Sequence, residues 1–187
     1  MIPLGILATT AGGGAAAGAY ELISTAYPTT GSSSVSITSI PNTYKHLQLR
    51  ITGGYPYTNQ SELEVFMRFN SNTSSIYSWH KLVGDGNSVT SSAGTSLNAM
   101  YALILGPGDE NAVTSSFGGT VIDILDYAVT TKNKTIRSFG GYHKDTSMKK
   151  VMLYSGLYGA TDAISSISIN GYFKTGSRIG LYGIKGA

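Results

Sequence analysis

The sequence predicts an all-β fold, an antiparallel β-sandwich of jelly-roll type behind an extended amino-terminal arm. Three observations carry this expectation. Gly, Ser and Thr make up 68 of the 187 residues while charged residues reach only 12%, too few to solvate a helical bundle. Apolar residues recur at every second position in short runs separated by Gly, Pro, Ser and Asn clusters, the pattern of half-buried strands joined by turns. No segment sustains apolar residues at i, i+3, i+4 and i+7, and no fixed-period self-similarity marks a solenoid or propeller.

Met1–Ala19 (MIPLGILATTAGGGAAAGA) stands apart from this pattern. No Lys or Arg precedes its apolar stretch, and Pro3 and Gly5 break it, which opposes a secretory signal. Fixing so long a backbone costs on the order of 20–40 kcal/mol. Full burial of Ile2, Leu4, Ile6 and Leu7 returns at most about 12 kcal/mol. An ordered arm over 1–19 therefore needs backbone pairing and neighbouring chains, and these four residues are its expected partner-binding positions. A single domain is expected over 20–187, since a chain of this length suits one core.

Within that domain Tyr20–Tyr27 reads as the first strand, closed by Pro28 and a Thr/Gly/Ser loop. Val35, Ile37 and Ser39 share one face of the second, which Ile40-Pro41 ends. Leu47, Leu49 and Ile51 then alternate with His46, Gln48 and Arg50, one face dry and one wet. Leu63, Val65, Met67 and Phe69 alternate in the same way with Glu62, Glu64, Phe66 and Arg68. Asn70-Ser71-Asn72 turns the chain towards a strand over Ser75–Val83, and Gly84-Asp85-Gly86-Asn87 is a strong turn signal. Leu97–Leu105 is continuously apolar, compatible with a strand or a short helix. Further strands are expected over Thr120–Tyr127, Lys134–Tyr142, Val151–Tyr158, Ile164–Ile169 and Arg178–Ile184, about ten in all.

Composition excludes several chemistries. With no cysteine there are no disulfides, thiol nucleophiles or cysteine-ligated metals. A net charge of +3 is a small surplus and not a basic stripe, so no nucleic-acid partner is expected. No run approaches the roughly 18 apolar residues of a membrane span, and no membrane partner is expected. His46, His80 and His143 show no metal-binding spacing, so the expected metal complement is none. Glu62 and Glu64 share a strand face, but a glycosidase draws its two carboxylates from separate elements, and Arg68 offers simpler charge balance. Asp123 and Asp126 fall on opposite strand faces and form no dyad. Asp85-Gly86-Asn87 and Asp109-Glu110-Asn111 could offer oxygens to calcium but lack a spaced ligand series, and turn formation is their expected role. No GxSxG or GxxxxGKS motif is present, so neither catalytic residues nor a cofactor are expected. The 13 tyrosines and one tryptophan are the most suggestive feature. Tyr55, Tyr57, Tyr77, Trp79 and Tyr101 could form an aromatic surface for sugars or a protein, although strand propensity alone accounts for most aromatic residues here.

The runs Ile40-Pro41-Asn42-Thr43-Tyr44-Lys45-His46-Leu47-Gln48-Leu49-Arg50, Tyr77-Ser78-Trp79-His80 leading to Gly84-Asp85-Gly86, and Val121-Ile122-Asp123-Ile124-Leu125-Asp126-Tyr127 with Lys134-Thr135 beyond form a distinctive set. With the opening Pro3-Leu4-Gly5-Ile6-Leu7-Ala8 and the closing Gly180-Leu181-Tyr182-Gly183-Ile184-Lys185-Gly186, the chain resembles a family of small virion proteins of tailed bacteriophages, common in phages of cyanobacteria and other marine bacteria. The resemblance implies a structural, non-enzymatic virion component, partnered by phage capsid or tail proteins. A closed homo-oligomer is expected, with a homo-trimer first because trimeric jelly rolls are frequent in virions. The leading expectation is a protein that decorates or cements the capsid. The other is a tail or fibre adhesin whose aromatic surface recognises host glycans.

Overall fold

The computed structural model describes residues 18–57, 62–106, 117–145 and 148–186. The expected arm over 1–19, with Ile2, Leu4, Ile6 and Leu7, lies outside the described residues except at its last two positions, as do Asp109, Glu110 and Asn111. Among the described residues there is no helix, and twelve strands carry the fold. They are β1 (Tyr20–Ala26), β2 (Ser32–Ile37), β3 (His46–Gly53), β4 (Leu63–Phe69), β5 (Tyr77–Gly84), β6 (Val89–Leu97), β7 (Met100–Leu105), β8 (Gly118–Leu125), β9 (Lys134–His143), β10 (Lys149–Tyr158), β11 (Ile167–Phe173) and β12 (Arg178–Ile184).

The strands form two antiparallel sheets packed as a sandwich. One has eight strands in the order β1-β12-β3-β8-β9-β10-β5-β6, the other four in the order β2-β11-β4-β7. Period-two patterning explains which side chains enter the core. Leu47, Leu49 and Ile51 of β3, Ile122 and Ile124 of β8, and Ile179 and Leu181 of β12 meet Val65, Met67 and Phe69 of β4 and Ile167, Ile169 and Phe173 of β11.

The unequal strand numbers shape the molecule. Strand β7 is the edge of the small sheet and packs against β8, β9, β10 and β5 of the large one. Leu103 and Leu105 join the main core, while Ile104 joins a second cluster with Val83, Tyr142, Met152 and Tyr154. Both faces of β7 are therefore covered, which is why Leu97–Leu105 lacks an alternating pattern. The extended alternative is the correct one for this segment, broken after Leu97 into β6 and β7.

Two details differ from expectation. Strand β6 (VTSSAGTSL) has no apolar stripe to betray it and lies almost wholly exposed at the sheet edge. Strand β11 begins at Ile167, not Ile164. Ile164 is buried in the preceding loop, where its N–H donates to the Tyr127 carbonyl at 2.9 Å.

Buried polar groups fix the loops. Lys134 is fully buried, and its ammonium donates to the carbonyls of Lys132 and Thr161 at 2.8 and 2.9 Å. Burial pushes its pKa below the ordinary lysine value. The Tyr127 hydroxyl donates to the Pro41 carbonyl.

Candidate functional site

The five aromatic residues singled out from the sequence do not form one surface. Tyr77 is fully buried, its hydroxyl accepting from the Phe69 N–H at 3.0 Å and donating to the Asn72 carbonyl at 3.1 Å. It serves the core, and its assignment to a ligand surface is corrected here. A phenol so placed gives two backbone groups a partner. Tyr55 is likewise buried in the core and is corrected with it; it packs edge to face with the half-buried Tyr57 at 5.4 Å, and Tyr57 packs in turn on Tyr172 at 5.7 Å. Trp79 and Tyr101 meet separately, their ring centroids 5.0 Å apart.

The Trp79–Tyr101 pair lies in a cleft of about 190 Å³ between the overhanging β5 and β6 and the small sheet. Phe66, Arg68, Leu97, Asn98 and Ala99 complete its lining. The Arg68 guanidinium lies 5.0 Å over the Phe66 ring and donates from Nε to the Asn98 carbonyl at 2.9 Å. Beside them the Lys81 ammonium pairs with Glu64 and lies 5.7 Å from the Trp79 ring centroid. Phe66 also borders a second depression of about 290 Å³ with Ser33, Glu64, Asn170 and Tyr172, so the two hollows adjoin on the outer side of the small sheet. Aromatic rings beside amide and guanidinium groups suit a ligand with both apolar faces and hydroxyls.

The outward face of the eight-stranded sheet is the other candidate surface. The register places Arg50, Val121, Phe139, Leu153 and Leu82 in one row across β3, β8, β9, β10 and β5. Phe139 is 61% exposed, Leu82 48%, Leu153 45% and Val121 39%. The neighbouring row runs Thr52, Gly119, Gly141, Val151, Gly84 and Val89, with both valines exposed. On the other side lies a polar row. Arg50 donates to Gln48 at 2.8 Å, Gln48 to Asp123 at 2.8 Å, and Arg137 to Asp123 at 2.9 Å.

The carboxylates are engaged elsewhere. Glu62 accepts from Lys150 at 2.6 Å and from the Tyr142 hydroxyl at 2.8 Å, while Glu64 pairs with Lys81. Burial, and then this carboxylate, push the Tyr142 phenol well above its ordinary pKa. The two glutamates thus take separate cationic partners on the large sheet. The Lys132 ammonium, and then Lys45, hold the Asp126 carboxyl below the usual range, and the Asp126 N–H donates to His46 Nδ1 at 2.9 Å. His80 and His143 are exposed on β5 and β9, and among the described residues no three His, Asp or Glu side chains converge as metal ligands. Asp85 uses Oδ1 to accept the N–H groups of Asn87 and Ser88 at 2.8 and 2.7 Å, the turn role expected of it.

Two features were missed from the sequence. The alternating pattern places Phe66 and Arg68 only on the wet face of their strand, because nothing local shows that β5 overhangs them. The outward apolar face did leave a signal: Val151–Tyr158 (VMLYSGLY) is apolar on both parities, as a strand covered on both faces is. No family model, curated protein or solved structure matches the chain at a significant level.

Proposed function

We propose that the protein is a structural virion component of a tailed bacteriophage that decorates or cements the capsid through subunit contacts. The supporting observation is the outward apolar row Val121-Phe139-Leu153-Leu82, exposed on strands whose opposite faces already fill the core. A sheet apolar on both sides suits a protein that finishes burying itself on assembly. Repeated contacts of this kind stabilise a shell without bond chemistry, since whatever binds only the assembled state favours it by mass action. Ile2, Leu4, Ile6 and Leu7 of the preceding segment would engage neighbouring subunits, and the chain would work as a closed homo-oligomer in the virion.

The strand order supports the jelly-roll reading. Without the hairpins β5–β6 and β9–β10, the order β1-β12-β3-β8 faces β2-β11-β4-β7, two four-stranded sheets between which the chain passes back and forth. Both hairpins extend the same sheet, and they carry most of the outward apolar row. Quantitative mass spectrometry of purified particles tests the proposal. A copy number comparable to the major shell protein, with a lower bursting temperature after stripping, is expected. A few copies per particle with head stability unchanged would overturn it.

The cleft at Trp79, Tyr101, Phe66 and Arg68 favours one second reading, a tail or fibre adhesin for host glycans. Trp79 is the sole tryptophan, so its emission reports on that cleft alone. Saturable change on titration with host-surface glycans, lost in Arg68→Ala, would support this reading, and an unchanged emission would dismiss it.

A further inference from the structure

We infer that the outward face of the eight-stranded sheet is a self-recognition surface, on which a second copy of this chain packs about a two-fold axis. The inference names the partner and the residues for the subunit contacts proposed above, and rests on that reading only for its place in a virion.

Glycines on this face supply the first argument. Gly119 and Gly84 lie in one cross-strand row, with Gly141 and Val151 between them. A Cβ at Gly119 or Gly84 would meet nothing within 4 Å, and neither has a positive φ. Neither crowding nor a positive φ therefore calls for glycine at either place, and Gly119 lies within its strand, where glycine is weakening. Gly141 differs, because a Cβ there would lie 2.5 Å from the Lys150 carbonyl oxygen. A strand glycine without an internal cause points to close approach from outside.

Shape supplies the second. Gly119, with Gly140 and Gly141, floors an open trough of about 470 Å³ whose sides include Thr52, Val121, Phe139 and Val151. Phe139, the most exposed apolar side chain of the adjoining row, stands directly beside it. A ridge next to a trough is self-complementary under a two-fold rotation: Phe139 of each copy enters the trough of the other, so one patch serves both sides of the contact. Sheets packed face to face sit about 10 Å apart, a gap that one layer of such side chains fills.

Extent supplies the third. Val89, Leu82, Leu153, Phe139, Val121 and Val151 are 69%, 48%, 45%, 61%, 39% and 58% exposed, together a patch on the order of the 300–600 Å² that marks the largest, often functional, patch of a monomer. A stable interface buries ~800 Å² per partner, and this patch would form its core with the polar row Gln48-Asp123-Arg137 as part of the rim.

The test is light scattering on the full chain, free of any particle, over a dilution series. A mass of about 39 kDa, twice 19.6 kDa, is expected in place of the trimer that the resemblance suggests, as an isologous contact closes at two copies. Phe139→Lys should weaken the association by roughly 30-fold or more, as loss of a central anchor does. Gly119→Val should also weaken it while leaving the melting temperature of the dilute monomer unchanged or higher, a result that a purely structural glycine would not give. A monomer at all concentrations, a trimer, or a dimer that survives both substitutions would overturn the inference. Failure of the virion reading shows separately, as a stable dimer absent from purified particles.

Discussion

The Asn70 side-chain carbonyl accepts the backbone N–H of Ser165 at 2.8 Å, a bond between residues 95 apart in sequence. The same oxygen accepts the Ser166 N–H at 3.2 Å, and Nδ2 donates to the Ala163 carbonyl at 2.9 Å. Asn70 also has a φ of +52°, a conformation that asparagine tolerates better than most residues. One side chain thus ties the β4–β5 loop to the β10–β11 loop. Asn70→Ala should lower stability by about 2–4 kcal/mol, from lost bonds to backbone groups and a strained φ. Asn70→Gly should recover about 1 kcal/mol of that by removing the strain alone. Urea denaturation of both variants checks the split, and equal losses would remove the φ argument.

Two strand glycines should respond oppositely to the same change. A Cβ at Gly156 of β10 would lie 2.7 Å from both Ile136 Cγ1 and Met100 Sδ, between the two sheets. Gly156→Ala therefore overpacks the core and should cost about 1–3 kcal/mol. Gly119→Ala meets open space and should gain up to about 1 kcal/mol through better strand propensity. Urea midpoints of the dilute proteins give the comparison. A destabilised Gly119→Ala would mean that the outward face is less open than described.

The contrast between these glycines shows where the sequence is legible. Strands β3 and β4 stand out because each has one dry face and one less buried face. Strand β6 does not, because an exposed edge needs no apolar stripe. Strand β7 was ambiguous because the large sheet passes its edge and covers both its faces. Trp79 and Tyr101 were visible as aromatic residues, but their meeting depends on the turn at Asn98-Ala99 that folds β7 back beneath β5. The outward face was the most readable feature and the least read. Val151, Leu153 and Leu157 share the parity opposite to Met152, Tyr154 and Tyr158, and only the register shows that Phe139 and Leu82 flank them.

Buried phenols set the alkaline limit of stability. Burial pushes Tyr158 up to about 12 and raises Tyr77 and Tyr127. Tyr142 and Tyr154 are driven further, by burial first and then by Glu62 and Glu64 respectively. Each folded pKa exceeds its unfolded value near 10, so the folded state holds these protons more tightly. Their contribution is full below pH ~10 and is lost as the pH rises through the folded values. For Tyr158 alone it is about 3 kcal/mol. Phenolate absorbance from these five should emerge together with loss of the β-sheet circular dichroism signal. Gradual ionisation with the sheet signal intact would contradict their burial.

The last prediction concerns how β6 lies on the sole tryptophan. A Cβ at Gly94 would sit 2.8 Å from Trp79 Nε1 and 2.7 Å from Leu97 Cδ1, so glycine lets the edge strand rest directly on the indole. Between Gly94 and Leu97 the strand carries one residue more than its partner β5, with Ser96 at a φ of +55°. This bulge leaves β6 able to move without disturbing β5. Leu97 can rotate away from an added methyl, but the indole, buried among Tyr101 and its neighbours, cannot. Gly94→Ala should therefore lift β6 and admit water to the ring. The expected result is red-shifted tryptophan emission and faster amide exchange confined to β6, with global stability reduced by no more than about 1 kcal/mol, since β6 buries little. Emission unchanged from the parent protein would show that β6 does not seal the indole. A loss of several kcal/mol would show instead that the edge strand is part of the cooperative core.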